Sequence, residues 1–245
     1  MTHVTPQPTL TSGFDLVHLN RRFDRAYPKE ILDWCGMNIP TDLVQASNFD
    51  LDHLVITDLL YRQIKTANRI PVIFIDTLHQ FRETLALIEQ AKRCYDLDLH
   101  IHKMQGIASR QTFAAKYGDE LWKTDLEKFR RLTKLKPLER ALDKLGAVAW
   151  ITGRQRDRDS NGAQMPIFEW DERGRLKINP LANWSRTESW AYVYEHDLIY
   201  NPLHDRGYSD IDDEPLTFKA GEREAETTRH RADNENREIF IPAYC

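Results

Sequence analysis

The sequence is poor in cysteine: Cys35, Cys94 and Cys245 are the three thiols among 245 residues. An odd set with no Cys-x-x-Cys pair cannot build a four-thiolate metal or iron–sulfur site within one chain, nor a disulfide framework. There is no basic excess either. Lys and Arg number 34 against 38 Asp and Glu, a net charge of −4, which argues against general nucleic-acid binding. No apolar run is long enough to suggest a membrane span. Residues 1–13, rich in Thr and Pro, lack the apolar centre of a secretion signal and read as a disordered tail. With no internal repeat and no low-complexity tract, 14–208 reads as one globular domain, expected in a reducing, cytoplasmic setting.

What is present centres on residues 147–160. Ala147 to Thr152 is nearly all apolar and uncharged, the pattern of a strand buried on both faces of a parallel sheet. It runs into Gly153 and then Arg154, Arg156 and Arg158 at alternate positions. Ligands of open α/β sheets bind beyond the carboxyl ends of the strands. Arginine there meets a phosphate or sulfate as a planar fork of fixed charge. Asp157 and Asp159 alternate with these arginines, so a self-neutralised, solvated loop is the competing reading.

Around this stretch, helical and strand periodicities alternate. Pro28 opens a helix, 43–46 is a short strand, and 52–63 places Leu54, Val55, Leu59 and Leu60 on one helical face. Residues 71–75 form a second apolar strand ended by Asp76-Thr77, with a helix through Cys94 and a third strand at 97–102. Residues 110–145 read as mostly helical, anchored by Phe113, Tyr117, Trp122 and Phe129. Two strands, 167–170 and 176–178, flank the turn Glu172-Arg173-Gly174, and 180–194 is helical. From 209 the chain is polar and reads as a C-terminal tail closing over the site. Cys35 and Cys94 lie on apolar helices and are expected to be buried. The fold class is α/β, with a doubly wound, mostly parallel sheet.

Several stretches, in order, resemble one family, the phosphoadenylyl-sulfate (PAPS) reductases. They are FIDTLHQFRETL (74–85), FAAKYGDELW (113–122), KLKPLERALDKLGAVAWITGRQRD (134–157), LKINPLANWSRTESWAYV (176–193) and YNPLHDRGY (200–208). The resemblance implies an adenine nucleotide α-hydrolase-like fold. It also implies reduction of PAPS to sulfite and adenosine 3′,5′-bisphosphate, with electrons from thioredoxin or glutaredoxin, in sulfate assimilation and cysteine biosynthesis. A homodimer is a possible assembly. In the family a cysteine of a C-terminal Glu-Cys-Gly-Ile/Leu-His motif attacks sulfur, and the partner dithiol releases sulfite. Related APS reductases hold a four-iron cluster on a Cys-Cys and a Cys-x-x-Cys pair. Asp212-Asp213-Glu214-Pro215 stand in the second pair's place here, so neither a cluster nor another cofactor is expected. The matching motifs imply substrate binding by Ser47, Phe49, Asp76, Thr77, His79, Gly153, Arg154, Arg156, Arg206, Arg229 and Arg231. His204 would support the phosphate site, with Asp205 holding Arg206.

The departures from the family fall on its working parts. Its first phosphate loop, Ser-Ser-Ser/Ala-Phe-Gly, is Ala46-Ser47-Asn48-Phe49-Asp50 here. That replaces a glycine which would let backbone N–H groups approach phosphate, and adds a carboxylate. Ile239 stands at the nucleophile's place and Pro242 at the histidine's, leaving Cys245 as the candidate catalytic thiol. Two functions stay open: the reductase, and a catalytically impaired paralog that binds a sulfonucleotide or adenine nucleotide without turnover. A third, an adenylyl-transferring or ATP-pyrophosphatase relative, would want a Ser-Gly-Gly-x-Asp loop, of which 46–50 supplies only the Asp.

Overall fold

A computed structural model describes residues 13–39, 41–64, 69–156 and 165–219. Side chains that satisfy free backbone amides set several helix starts. Asp15 caps α1 (Leu16–Phe23) by accepting from the His18 amide at 3.0 Å. Pro28 occupies the first turn of α2 (Pro28–Asn38), where Glu30 reaches back to the Tyr27 amide at 2.8 Å. After β1 (Leu43–Ala46), α3 (Leu51–Asp58) runs into a widened turn, Leu59–Gln63. Next come β2 (Val72–Asp76), α4 (Arg82–Tyr95) and β3 (Leu99–Lys103).

Residues 110–145 are mostly helical as expected, in several pieces. They form α5 (Arg110–Tyr117), α6 (Leu121–Thr124), α7 (Leu126–Arg130), a second widened turn at Arg131–Leu135, and α8 (Lys136–Lys144). Gly118, at φ 94°, ends α5 in a conformation open to few other residues. β4 (Ala149–Ile151), β5 (Phe168–Trp170) and β6 (Leu176–Ile178) follow. The helix expected from 180 begins later, as α9 (Arg186–Glu195), because Ser185 and Glu188 cap it reciprocally.

The strands form one sheet in the order β3-β2-β1-β4-β6-β5, parallel except for β5, which pairs antiparallel with β6 as the hairpin expectation required. The chain passes from β1 outward to β2 and β3, then returns to lay β4 on the other side of β1. That reversal is a topological switch point, where open α/β sheets leave a crevice.

Register assigns each side chain to a face. Leu43, Val72, Phe74, Ala149, Ile151, Leu176 and Ile178 share one face. They join a broad core with α2, α3, α4 and α9 that includes Ile31, Leu32, Val55, Phe168 and Val193. Val44, Ile73, Ile75 and Trp150 point the other way, into a small cluster with Leu138, Ala141 and Leu142 of α8.

Two expectations are corrected by burial. Cys35 is fully buried, but Cys94 is exposed on α4. Of the polar tail expected from 209, the described part is packed into the fold, since Ile211 and Asp213 are buried and Glu214 N–H donates to the His79 carbonyl at 2.8 Å. Carboxylate bonding, not apolar packing, anchors much of this strap, which is why hydropathy alone reads it as free chain.

Candidate functional site

A cavity of about 470 Å³ opens beside the switch point, at the carboxyl ends of β1, β2 and β4. Small-molecule sites run to roughly 300–1,000 Å³. Its floor is the α8 face of the sheet, with Ile73, Ile75, Trp150 and Lys177; Leu135 and Leu138 close it from the helix side.

One side is set by a cross-strand row, of which Trp150 and Lys177 line the cavity. Val44, Trp150, Lys177 and Glu169 are register partners on neighbouring strands, so they align on one face. Lys177 Nζ lies 2.9 Å from Glu169 and 5.5 Å from the centre of the Trp150 ring. Glu169 also accepts from Asn179 at 3.0 Å and from Arg154 at 3.4 Å. Burial pushes the Glu169 carboxyl up, but these donors outweigh it and hold it below the usual carboxylate range. Two cations, Lys177 and Arg154, are thereby organised at the cavity by one carboxylate.

The other wall is the strap. Lys134, in the turn before α8, contacts Asp212 and lies 3.3 Å from Asp213. Asp213 is completely buried and accepts from Thr77 Oγ1 and from Gln80 Nε2 at 3.1 Å. Burial raises its carboxyl above the ordinary range, with Lys134 pulling the other way.

The loops at the strand ends close on themselves. Phe49 N–H donates to Ser47 Oγ at 3.1 Å and Asp50 N–H to Asn48 Oδ1 at 3.0 Å. Leu78 N–H donates to Asp76 Oδ1 at 2.8 Å, and Arg154 N–H to Thr152 Oγ1 at 3.3 Å. Gly153 N–H donates to His53 Nε2 at 3.2 Å, and a Cβ on Gly153 would stand 2.9 Å from that ring. Glycine is needed here for close approach rather than for an unusual φ.

Asp50 adopts an ordinary extended backbone at φ −66°, so its position makes no demand for glycine. Its carboxylate caps α3 and lies 3.5 Å from Arg186. The added negative charge therefore has a cation beside it.

Of the expected substrate contacts, Ser47, Thr77 and Arg154 line the cavity, and Gly153 adjoins it beneath His53. Asp76 is spent on closing its own loop. Phe49 is corrected to a core residue: it is buried edge-on to Phe74 at 6.0 Å. His79 is likewise a core residue, enclosed by Phe113, Trp122 and Phe129 with Nδ1 donating to the Thr77 carbonyl at 2.7 Å. Burial lowers its pKa, against the pull of that hydrogen bond. Arg156 turns away from the cavity, donating to the Met165 carbonyl at 2.7 Å and to Asn183.

Arg206 is exposed and pairs with Glu83 at 2.6 Å; Asp205, expected to hold it, accepts from Tyr200 instead. His204 does not line the cavity either; its Nδ1 donates to the Tyr208 carbonyl at 2.7 Å. Arg158, Arg229, Arg231, Ile239 and Cys245 lie outside the described residues.

Sequence reasoning gave no binding role to His53, Gln80, Lys134, Lys177 or Asp212. Lys177 did carry a signal: it is the polar member of Leu176-Lys177-Ile178, as Glu169 is of Phe168-Glu169-Trp170. Nothing local separates Lys134 from Lys136. Taken together, the cavity pairs an apolar floor with fixed cations, an arrangement suited to a planar base bearing anionic groups. No cysteine lines it among the described residues.

A family model described as the phosphoadenosine phosphosulfate reductase domain matches residues 42–219. A phosphoadenosine phosphosulfate reductase of Emericella nidulans is 38% identical over 213 residues, covering 86% of this chain and 69% of its own. An adenosine 5'-phosphosulfate reductase of Salinibacter ruber is 36% identical over 207 residues, covering 84% and 79%. The crystal structure of a PAPS reductase from Candida auris, in a phosphate complex, matches with a TM-score of 0.76 at 35% identity, covering 86% of this chain and 100% of that one.

Proposed function

The chain belongs to the phosphoadenosine phosphosulfate reductase domain family, and from that premise we propose that it reduces PAPS to sulfite and adenosine 3′,5′-bisphosphate. The observation that carries the reading is the cavity at the switch point, with Lys134, Arg154 and Lys177 on its walls. A thiolate would attack the sulfur of PAPS, forming an S–S bond as the S–O bond to the phosphate breaks and the bisphosphate leaves. A thioredoxin or glutaredoxin dithiol would then attack the resulting S-sulfocysteine. Sulfite leaves as a mixed disulfide forms with the chain's cysteine. The second thiol of the dithiol then displaces that cysteine as a free thiol, closing to a disulfide and so supplying the two electrons. The cations would stabilise the leaving phosphate. The adenosine 3′-phosphate is expected to be required, and no iron–sulfur cluster takes part.

The thiol is the weak point. Cys35 is buried, which pushes its pKa up and makes it inert, and Cys94 does not line the cavity. That leaves Cys245, with Ile239 in the family nucleophile's place. That no cysteine lines the cavity among the described residues supports a second reading, a paralog that binds the nucleotide without turnover. Sulfite release from PAPS with reduced thioredoxin, run beside APS, tests both. Slow release abolished by Cys245→Ser supports the reductase. Tight binding of adenosine 3′,5′-bisphosphate without any release supports the impaired paralog, and equal affinity for AMP and the bisphosphate sinks the PAPS reductase reading.

A further inference from the structure

An anion entering the cavity finds much of the backbone already engaged. The amides of Phe49, Asp50, Leu78, Gly153 and Arg154 all donate to side chains of the protein. The charged donors lining the cavity are Lys134, Arg154 and Lys177, and each already faces a carboxylate. The carboxylates differ in how firmly they are held. Glu169 takes donors from Lys177, Asn179 and Arg154 within the sheet. Asp213 is fully buried, with Thr77, Gln80 and Lys134 around it. Asp212 is 40% exposed at the cavity wall, and its carboxylate is paired with Lys134. Its backbone is anchored separately, by its own N–H to Thr217 Oγ1 at 2.9 Å.

We propose that Asp212 is an internal competitor for the ligand's anionic group: it holds Lys134 while the cavity is empty and yields it when phosphate or sulfate arrives. The proposal rests on the nucleotide-binding reading of this cavity. Lys134 keeps Asp213 throughout, so the exchange costs one partly exposed ion pair and leaves the strap in place. The affinity of the cavity is then set by Asp212 as well as by the cations.

Calorimetric titration of the full chain with adenosine 3′,5′-bisphosphate, and separately with inorganic phosphate, tests this in wild type, Asp212→Asn, Lys134→Met and the double variant. Asp212→Asn is expected to tighten both ligands by roughly two- to fivefold, the reach of a partly exposed ion pair. The gain should vanish in the Lys134→Met background, where there is nothing left to release. Unchanged or weaker binding in Asp212→Asn overturns the proposal. So does an equal gain without Lys134, which would mean long-range repulsion instead of competition. Asp212→Ser repeats the comparison with a side chain too short to rebond Lys134. If wild type binds phosphate but not the bisphosphate, the reductase reading fails while the phosphate titrations still decide on Asp212.

Discussion

The two faces of the sheet are built to different ends. On one, Phe23, Trp34 and Phe168 interlock with ring centres 5.4–5.7 Å apart, and α2, α3 and α9 complete a continuous core. On the other, α8 covers Val44 and Ile73 with Ala141 and Leu142, while Trp150 and Lys177 further along the sheet line the cavity. A single register decides which residue serves which purpose. Along β4, Ala149 and Ile151 stabilise while Trp150 between them lines the site; along β6, Leu176 and Ile178 flank Lys177 in the same way. Stability and ligand binding are thus separated by the alternation of one strand.

Three comparisons would break or sharpen that contrast. Phe168→Ala should cost about 3–5 kcal/mol in urea unfolding, as for a buried aromatic, while half-buried Leu138→Ala should cost under about 2 kcal/mol and act mainly on nucleotide affinity. Equal costs would erase the distinction between the faces. Next, Arg154→Ala should weaken adenosine 3′,5′-bisphosphate binding about tenfold, whereas Arg156→Ala and Arg206→Ala should change it less than about threefold. A larger loss at Arg156 would place the anion outside the cavity.

The smallest effect is one of pH. Burial raises the folded-state pKa of Asp213, so its contribution to stability is fully present below the unfolded carboxylate value and is lost as pH rises through the raised one. Asp213→Asn has no such loss, so from about pH 4 upward wild type should fall in stability relative to the variant. Glu169, whose lowered pKa acts in the opposite sense, is common to both chains and cancels. A difference that stays flat with pH would mean that Lys134 fully offsets the burial.

Much of the fold was legible from periodicity because parallel strands buried on both faces are runs of apolar residues. β1 falls at 43–46 as read, and β2 is displaced by one residue from 71–75. The hairpin of β5 and β6 was marked by its turn. The site was legible where it coincides with strand ends, at Ser47, Thr77 and Arg154. It failed one or two residues further on, where direction matters more than identity. Leu78 takes a left-handed φ of 68° and the following His79 packs inward; Phe49, at φ 59°, does the same. The strap's pairing with Lys134 was not legible for a different reason. Asp212 meets a lysine 78 residues earlier in the chain, and no local pattern encodes that pairing.

β3 lies at one margin of the sheet, where its outer row of backbone groups has no strand partner among the described residues. Such a row is a template on which another chain can add itself. Ile101 is half exposed there, flanked by His100, His102 and Lys103. Burial, with Lys144 and Arg140 nearby, keeps His102 neutral further into acid than an ordinary histidine. At neutral pH, therefore, His102 adds little to the charge guarding this margin, and Lys103 carries more of it.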